Sequence, residues 1–343
     1  MKIVLTFDTN YAPHAATAME SIIRNCTEKL EFVVIYYDLD RNTREILLDH
    51  FKDKVKSLEF YNIDKEYIYH FKVVKNVPHI TGFNVFLRLL ICDILPETDK
   101  YILYLDCDII VQDNILNIMD GADLTKPLCA ITEYSPNYKL RNLTNLTLME
   151  KPIIKPWNSD AYWYRTYIDL ELNKTVNYFN AGVLLINLEY WRNNKINEKA
   201  ILFLLEQPER AYAADQDALN HVINGNYYAL APKWNNGVVP SGILTNYSDA
   251  ELLEAEKSPS IIHIVGPYKP WYYLGSSRYQ RIYWEYRSTT PWPQKIYSDK
   301  TLKNIIKKFI REFIYLLGRN FIIQINSLMK KERYYNNIRI KIK

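Results

Sequence analysis

Two acidic residues stand directly behind a short apolar run, in Tyr101-Ile-Leu-Tyr-Leu-Asp106-Cys107-Asp108. Side chains two residues apart on an extended chain point the same way, so Asp106 and Asp108 are able to face one point. Two carboxylates at one point repel each other, and a bound cation removes that cost. Carboxylate oxygens favour Mg²⁺ or Mn²⁺, which bridge to substrate phosphates. The apolar run favours this metal site over the alternative, a solvated acidic turn.

A second candidate set follows an apolar strand pattern, in Ile261-Ile-His263-Ile-Val-Gly266-Pro-Tyr-Lys269. His263 is a possible third metal ligand, because a neutral imidazole binds metal ions, although a lone strand histidine is often structural. Gly266 lets the backbone approach a ligand closely, and Lys269 offers a positive charge to a phosphate. Lys269 and a metal would together stabilise a departing diphosphate.

Two further polar clusters lie between these sets. Tyr178-Phe-Asn180-Ala181-Gly182 is predicted to be a small polar turn that leads into an apolar strand and suits close contacts to hydroxyl groups. Asp215-Gln216-Asp217 precedes a helical pattern. Asp215 taken alone is a candidate N-cap of that helix.

The elements that must position these residues alternate along the chain. Strands are predicted at 3–7, 32–37, 58–61, 101–105, 128–132 and 183–188, and helices at 13–25, 43–51 and 83–95. This alternation predicts an α/β fold with a buried, mostly parallel central sheet. Ligands of open α/β sheets collect at the carboxyl ends of the strands, where the acidic pair would lie. Residues 1–290 are predicted to form one catalytic domain.

The polar stretch from 133 to 177 carries clustered aromatic residues at 157–167. Loops of this length are usually functional or mobile, and a surface excursion without a role is the alternative. The role of the aromatic segment stays open at this stage.

Six clusters, taken in order, resemble glycosyltransferase family 8, the group of bacterial lipopolysaccharide galactosyl- and glucosyltransferases and glycogenin. The resemblance runs from Met1 to about Trp271. The clusters are Phe7-Asp8-Thr9-Asn10-Tyr11, Phe86-Leu-Arg88-Leu, Leu105-Asp106-Cys107-Asp108, Phe179-Asn180-Ala181-Gly182, Asp215-Gln216-Asp217 and His263-Ile-Val-Gly266-Pro267-Tyr268-Lys269-Pro270-Trp271. The family implies a GT-A fold, a UDP-sugar donor, Mn²⁺ and retention of the anomeric configuration.

Each matching position then carries an implied role. The metal ligands would be Asp106, Asp108 and His263. The nucleotide and diphosphate would be held by Asp8, Asn10, Tyr11, Gly266 and Lys269. The donor sugar would be held by Arg88, Asn180, Ala181, Gly182 and Asp215, with Gln216 beneath the anomeric carbon. His79 matches a position near the acceptor pocket.

Some positions depart from the family pattern. Thr9 replaces a residue that is often acidic in relatives, and residues 157–167 match no family motif. Gln216 is a poor nucleophile, which favours front-face substitution over a double displacement. Asp217 remains the alternative nucleophile.

The chain has 343 residues, 48% apolar and 24% charged, which is ordinary for a globular protein. Its four cysteines form no CxxC pair and are predicted to be reduced. No leader pattern and no apolar run of about 18 residues is visible, so a cytoplasmic location is predicted.

Residues 295–343 carry 13 Lys/Arg and 3 Asp/Glu, so their net charge is +10 against a total of +4. Apolar residues recur with helical spacing at 302–317, opposite lysines and Arg311. The basic tail, 291–343, is predicted to lie on an anionic membrane. Nucleic-acid binding and a helix docked on the body are the alternatives.

The predicted function is therefore transfer of galactose or glucose from a UDP-sugar to a lipopolysaccharide or other cell-surface glycan. One alternative is a non-catalytic sugar-binding protein of the same fold. Another is a phosphatase with an aspartyl nucleophile. The phosphatase pattern usually has its acidic pair on the first strand with Thr or Val two residues beyond, whereas here that residue is Ile110.

Overall fold

The computed structural model describes residues 1–64, 83–137, 160–237, 245–266, 269–275, 277–310 and 313. Two compact units are present, Met1–Val265 with Arg281–Gln294, and Gly266–Gln280 with Lys295–Lys343. The predicted acceptor residue His79 lies outside the described residues.

Strands and helices alternate in the first unit, as the sequence predicts. The strands are β1 Lys2–Thr6, β2 Glu31–Tyr36, β3 Ser57–Asn62, β4 Tyr101–Leu105, β5 Ile109–Val111, β6 Leu128–Tyr134, β7 Tyr178–Asn187, β8 Tyr228–Ala229 and β9 Ile261–His263. The α-helices are α1 Ala12–Asn25, α2 Arg41–Phe51, α3 Ile91–Ile94, α4 Asp160–Asp169, α5 Leu188–Asn194, α6 Ile196–Glu206, α7 Asp215–Ile223, α8 Asp249–Lys257 and α9 Ser277–Arg287, which runs from the second unit into the first. Short 3₁₀ helices lie at Phe83–Leu90, Ile115–Met119, Pro208–Arg210 and Pro232–Asn235.

Local chemistry explains several helix boundaries. Pro13 stands at the start of α1, where its missing N–H costs nothing. Asp40 caps α2 by accepting a 2.8 Å hydrogen bond from the Thr43 amide. Ser248 and Glu251 form a reciprocal capping box at the start of α8. Side-chain caps of this kind satisfy amides that have no partner within the helix.

Seven strands form one sheet in the order β3-β2-β1-β4-β7-β6-β8. The pairings β3–β2, β2–β1, β1–β4 and β6–β8 are parallel, whereas β7 is antiparallel to both β4 and β6. The predicted α/β fold with a mostly parallel sheet is therefore confirmed. The reversal of β7 brings its first residues to the edge where β1 and β4 end.

Both faces of the sheet are buried. Val4, Ile102 and Leu184 face one hydrophobic core. Ile3, Leu5 and Leu103 face the other core, which contains the apolar side of α1. Burial on both faces explains why these strands read as continuous apolar runs.

Two predicted elements differ from the structure. The segment 83–95, predicted to be one helix, is a 3₁₀ helix at Phe83–Leu90 followed by one turn of α-helix at Ile91–Ile94. Residues 178–182 are the first part of strand β7 and not the predicted turn. Residues 178–180 pair with β6, and the amides of Phe179 and Ala181 donate to the side chains of Asn220 and Gln216, contacts that a polar composition does not reveal.

The second unit is described in part. Asp299 accepts hydrogen bonds from the backbone amides of Tyr273, at 2.6 Å, and Leu274, at 3.3 Å, and so ties the loop at 269–275 to residue 299. Residues 302–310 are helical. Within the described residues, no helix has both the length and the apolar composition needed to cross a bilayer.

Candidate active site

Strand pairing brings the acidic pair and His263 together. Antiparallel pairing of β4 with β7 aligns Leu105 with Val183, and the Asp106 amide donates to the Gly182 carbonyl at 2.9 Å. Pairing of β5 with β9 aligns Ile109 with His263, so the imidazole comes next to Asp108.

The three predicted metal ligands form one compact cluster. His263 Nε2 lies 3.2 Å from Asp108 Oδ1 and 3.7 Å from Asp106 Oδ2. One ligand atom from each of the three residues lies within 4.8 Å of the other two. Two carboxylates and an imidazole at this spacing suit one divalent cation, so the residues fit the metal that the family implies.

The tautomer of His263 follows from a chain of buried amides. Asn235 Nδ2 donates to Asn180 Oδ1 at 2.9 Å, which leaves Asn235 Oδ1 as the acceptor facing His263 Nδ1, also at 2.9 Å. Nδ1 therefore carries a proton and donates it to Asn235, which leaves Nε2 as the ring nitrogen that faces the carboxylates. This is the arrangement of a metal-binding histidine.

Gly182 allows this close packing. A Cβ atom at position 182 would lie 2.2 Å from His263 Cε1 and 2.9 Å from Asp106 Oδ2. The absence of a side chain is therefore required for the imidazole and the carboxylate to meet.

The two oxygens of Asp106 have separate partners. Oδ1 accepts hydrogen bonds from the Tyr104 hydroxyl at 2.9 Å and from Arg88 Nη2 at 3.0 Å. Oδ2 is the oxygen that faces His263. The protein thus orients Asp106 through one oxygen and leaves the other for a metal ion.

Arg88 joins three parts of the site. Nη1 donates to the Ala181 carbonyl and Nη2 to Asp106, while Nε, which donates to the Val85 carbonyl, lies 2.7 Å from Asp215 Oδ2 in a purely electrostatic contact. Burial opposes the positive charge, but the carboxylates of Asp106 and Asp215 outweigh it, so the pKa of Arg88 is raised. Arg88 therefore stays positively charged and links Ala181, Asp106 and Asp215.

All four hydrogen-bonding positions of the Gln216 side-chain amide are occupied. Its Oε1 accepts from the Ala181 amide at 2.9 Å and from Asn180 Nδ2 at 3.1 Å. Its Nε2 donates to Glu133 Oε2 and to the Tyr178 hydroxyl, both at 3.0 Å. Desolvation raises the pKa of the Glu133 carboxyl, which also accepts from Asn180.

Both oxygens of Asp217 are occupied. Oδ1 accepts from the Tyr178 hydroxyl and Oδ2 from the Ala213 amide, each at 2.6 Å, and the residue is 2% exposed. Desolvation raises the pKa of Asp217 to about 7 and that of Asp215 to about 6. Asp215 is the first residue of α7 rather than its N-cap, because Ala214 takes that position with φ 51°.

The predicted nucleotide residues follow β1. Asp8 accepts from the Tyr11 amide at 2.9 Å and from Asn84 Nδ2 at 3.1 Å. Asn10 is exposed and Tyr11 is 43% exposed, so both are accessible to a ligand. Asn84 Oδ1 is buried and has no hydrogen-bond partner among the described residues.

Three predicted site residues lie outside the first unit or outside the described residues. His79 is outside the described residues, and Gly266 and Lys269 belong to the second unit. The aromatic segment is divided: Trp163 and Tyr167 are buried in the core, whereas Tyr164 is 64% exposed.

Sequence comparison identifies the family to which this site belongs. The family model for glycosyl transferase family 8 matches residues 2–275. The chain belongs to glycosyl transferase family 8.

Relatives and solved structures agree with this assignment. General stress protein A of Bacillus subtilis (strain 168) is 26% identical over 303 residues, which are 85% of this chain and 94% of that protein. Lipopolysaccharide 1,3-galactosyltransferase of Salmonella typhimurium is 24% identical over 297 residues, 84% of this chain and 78% of that enzyme. The fold is also that of galactosyltransferase LgtC, solved with donor and acceptor sugar analogues, with a TM-score of 0.65, 21% identity, and coverage of 85% of this chain and 96% of that one. The chain is thus a GT-A-fold glycosyltransferase, and its family uses a nucleotide-sugar donor and a glycan acceptor.

Several residues that build the site of this glycosyltransferase were missed in the sequence. Tyr104 lies on β4, two residues before Asp106. Strand periodicity could therefore have predicted that the two side chains point to the same face. Tyr178 belongs to a cluster that the sequence indicates, but its bond to Gln216 does not follow from it, and Asn235 and Glu133 contact the site across 28 and 83 residues of sequence. Separations of this size leave no local signal.

Proposed function

We propose that this chain transfers a hexose, galactose or glucose, from a UDP-sugar to a hydroxyl of a lipopolysaccharide or other cell-surface glycan, with retention of configuration. The cluster of Asp106, Asp108 and His263, with Nε2 turned toward the carboxylates, is the observation that carries the proposal. The named lipopolysaccharide 1,3-galactosyltransferase and 1,2-glucosyltransferase relatives support the choice of a hexose and of this acceptor class.

Mn²⁺ is the proposed cofactor, with Mg²⁺ as a substitute. When bound, such an ion neutralises charge on the diphosphate leaving group. The proposed ligands are Asp106 through Oδ2, Asp108 through Oδ1 and His263 through Nε2, the three atoms that face one another. Gly266 and Lys269 are proposed to contact the diphosphate, and Asp8, Asn10 and Tyr11 to hold the uridine.

Front-face substitution is the proposed route to retention. The hydrogen bonds to both oxygens of Asp217, together with its burial, argue against its use as a nucleophile. Gln216 is uncharged, and its amide oxygen is suited to stabilise positive charge on the anomeric carbon without forming a covalent bond. Arg88, Asn180, Ala181, Gly182 and Asp215 are proposed to hold the donor sugar, and His79 to contact the acceptor.

The decisive experiment is release of UDP from a panel of UDP-sugars, with Mn²⁺ or with a chelator. We expect one UDP-hexose to be hydrolysed only with the metal, and the Asp106→Ala/Asp108→Ala double variant to be inactive. Asp123→Ala, which removes a partly buried carboxylate near β6, is the control and should remain active. Undiminished turnover in the double variant under chelation would refute the proposal.

The same panel separates the two alternatives. A sugar-binding protein would bind a UDP-sugar and leave it intact. A phosphatase with an aspartyl nucleophile would ignore UDP-sugars and hydrolyse phosphate monoesters. Where transfer is found, the anomeric configuration of the product by NMR tests retention.

The basic tail, residues 291–343, is proposed to hold the protein on the inner face of the plasma membrane, with no role in nucleic-acid binding. Leu302, Ile306 and Phe309 are 74%, 51% and 70% exposed, so apolar side chains of residues 302–310 stand in solvent. Lys303 and Lys307 are exposed on the same short helix. Apolar and basic side chains on one exposed helix suit an anionic bilayer.

Sedimentation with vesicles tests this proposal. We expect the protein to sediment with phosphatidylglycerol vesicles, and Ile306→Ser/Phe309→Ser or deletion of 295–343 to reduce this while UDP release continues. Leu253→Ser, at a 48% exposed position on α8, is the control. Sedimentation that survives the deletion would exclude the tail as the anchor.

A further inference from the structure

The side-chain amide of Gln216 has no free hydrogen-bonding position. Two donors reach Oε1, from the Ala181 amide and Asn180, and Nε2 gives its two hydrogens to Glu133 and Tyr178. A 180° turn of the amide would set Nε2 against the backbone N–H of Ala181, which is itself a donor. The orientation of Gln216 is therefore determined by its neighbours.

The Tyr178 hydroxyl links Gln216 to Asp217. The Tyr178 hydroxyl donates its single hydrogen to Asp217 Oδ1, at 2.6 Å. The hydroxyl oxygen is then left to accept from Gln216 Nε2 at 3.0 Å. Asp217 thus fixes the direction of the Tyr178 O–H bond. Because the hydrogen points to Asp217, the hydroxyl oxygen is the acceptor for Gln216 Nε2.

Asp217 is itself held in place. Its second oxygen accepts from the Ala213 amide at 2.6 Å, across Ala214, whose φ of 51° is unusual for a residue with a side chain. Tyr178 and Asp217 are 1% and 2% exposed. Neither can touch a donor sugar, so an effect of either residue on catalysis must pass through Gln216 or its neighbours.

We propose that Tyr178 and Asp217 are positioning residues that act as one unit to hold the Gln216 amide oxygen toward the reacting carbon of the donor sugar. This proposal rests on the proposed function, in which Gln216 lies beneath that carbon. A misplaced amide would weaken stabilisation of the transition state more than binding of the intact donor, because positive charge develops on the sugar only during the reaction.

The test compares Tyr178→Phe with a matched change at Tyr167. Tyr167 is also a buried tyrosine, and its hydroxyl donates to the Val176 carbonyl, with no contact to Gln216 among the described residues. Tyr178→Phe loses two buried hydrogen bonds, one to Asp217 and one from Gln216, whereas Tyr167→Phe loses one, so Tm is expected to fall in both variants and further in Tyr178→Phe. We expect kcat for UDP-hexose hydrolysis to fall about tenfold or more in Tyr178→Phe, with KM for the donor within about twofold, and kcat to stay within about twofold in Tyr167→Phe.

A double-variant cycle tests whether the two residues act as a unit. Asp217→Asn keeps the size of the side chain but offers one acceptor oxygen where the native residue offers two. We expect it to lower kcat as Tyr178→Phe does, and the double variant to lose little more than either single one. Asp217→Asn also keeps the proposal testable if Tyr178→Phe does not fold.

Three outcomes would overturn the proposal. One is a kcat for Tyr178→Phe equal to that of Tyr167→Phe, which would make the hydroxyl merely structural. A second is a rise in KM at unchanged kcat, and a third is fully additive losses in the double variant. Failure of the wild-type protein to release UDP from any UDP-sugar would refute the proposed function itself, a result distinguishable from all three.

Discussion

His263 donates a hydrogen bond from Nδ1 to Asn235 Oδ1 across 2.9 Å, in the interior of the protein. Asn235 is fully buried, and its amide nitrogen is committed to Asn180. The pair therefore sets the imidazole so that Nε2 faces Asp106 and Asp108.

Asn235→Ala is expected to weaken metal binding about 10-fold to 100-fold, because the acceptor that fixes the imidazole is lost. Titration of the variant with Mn²⁺, followed by electron paramagnetic resonance of the free ion, measures this effect without an activity assay. Asn236→Ala is the matched control, since Asn236 is also buried and donates to the Ala255 carbonyl. Equal affinities in the two variants would show that Asn235 does not orient the ligand.

Gly182→Ala is expected to reduce Mn²⁺ affinity by about tenfold or more while the fold persists. The added methyl group would stand 2.2 Å from His263 Cε1, so the imidazole must move away from the carboxylates. Gly121→Ala serves as the control, because no atom lies within 4 Å of its added methyl group although its φ is 73°. The interpretation fails if Gly182→Ala binds the ion as tightly as the wild type.

The acidic pair was predictable because its signal is local. An apolar strand that ends in two carboxylates is visible within eight residues, and strand geometry places both side chains at one edge of the sheet. The alternation of strands and helices is equally visible, so the fold was predicted correctly. The contact of Asn235 with His263 and the contacts of Glu133 and Tyr178 with Gln216 were not predicted, since these residues lie on a 3₁₀ turn, β6 and β7.

Local backbone conformation could not be predicted from residue type alone. Asp215 has the composition of an N-cap, yet the strained Ala214 occupies that position and frees Asp215 to meet Arg88. Residues 83–90 have helical apolar spacing but form a 3₁₀ helix, whose i to i+3 pattern differs little from that of an α-helix. Tertiary contacts decide such cases.

Arg88→Lys is expected to lower kcat/KM for the UDP-hexose by about 100-fold, although it keeps the charge. The guanidinium donates hydrogen bonds to Ala181 and Asp106 and makes an ionic contact with Asp215. The ammonium group of a lysine cannot reproduce that planar set of donors. Arg192→Lys is the control, because Arg192 donates to the Leu95 and Asp99 carbonyls away from the site. A variant that retains wild-type kcat/KM would show that only the charge matters at position 88.

Asp217 is expected to make the folded protein less stable as pH rises. Desolvation raises its pKa from 3.8 to about 7, so the folded state binds this proton more tightly than the unfolded state does. The favourable contribution is complete below about pH 4 and is lost as pH rises toward 7. Glu133, Asp215, Tyr178 and Tyr162 surround the carboxyl, and Asp215, whose pKa is raised to about 6, also gains charge in this range.

Urea unfolding of the wild type and of Asp217→Asn at pH 5, 6, 7 and 8 measures this effect. The wild type should lose on the order of 1–3 kcal/mol of unfolding free energy, relative to the variant, between pH 5 and 8. Asp123→Asn is the opposite control, because hydrogen bonds from Thr125 lower the pKa of the Asp123 carboxyl, and its contribution is lost only in acid. Parallel pH profiles for wild type and Asp217→Asn would mean that Asp217 is ionised throughout, held by the Tyr178 hydroxyl and the Ala213 amide strongly enough to overcome its burial.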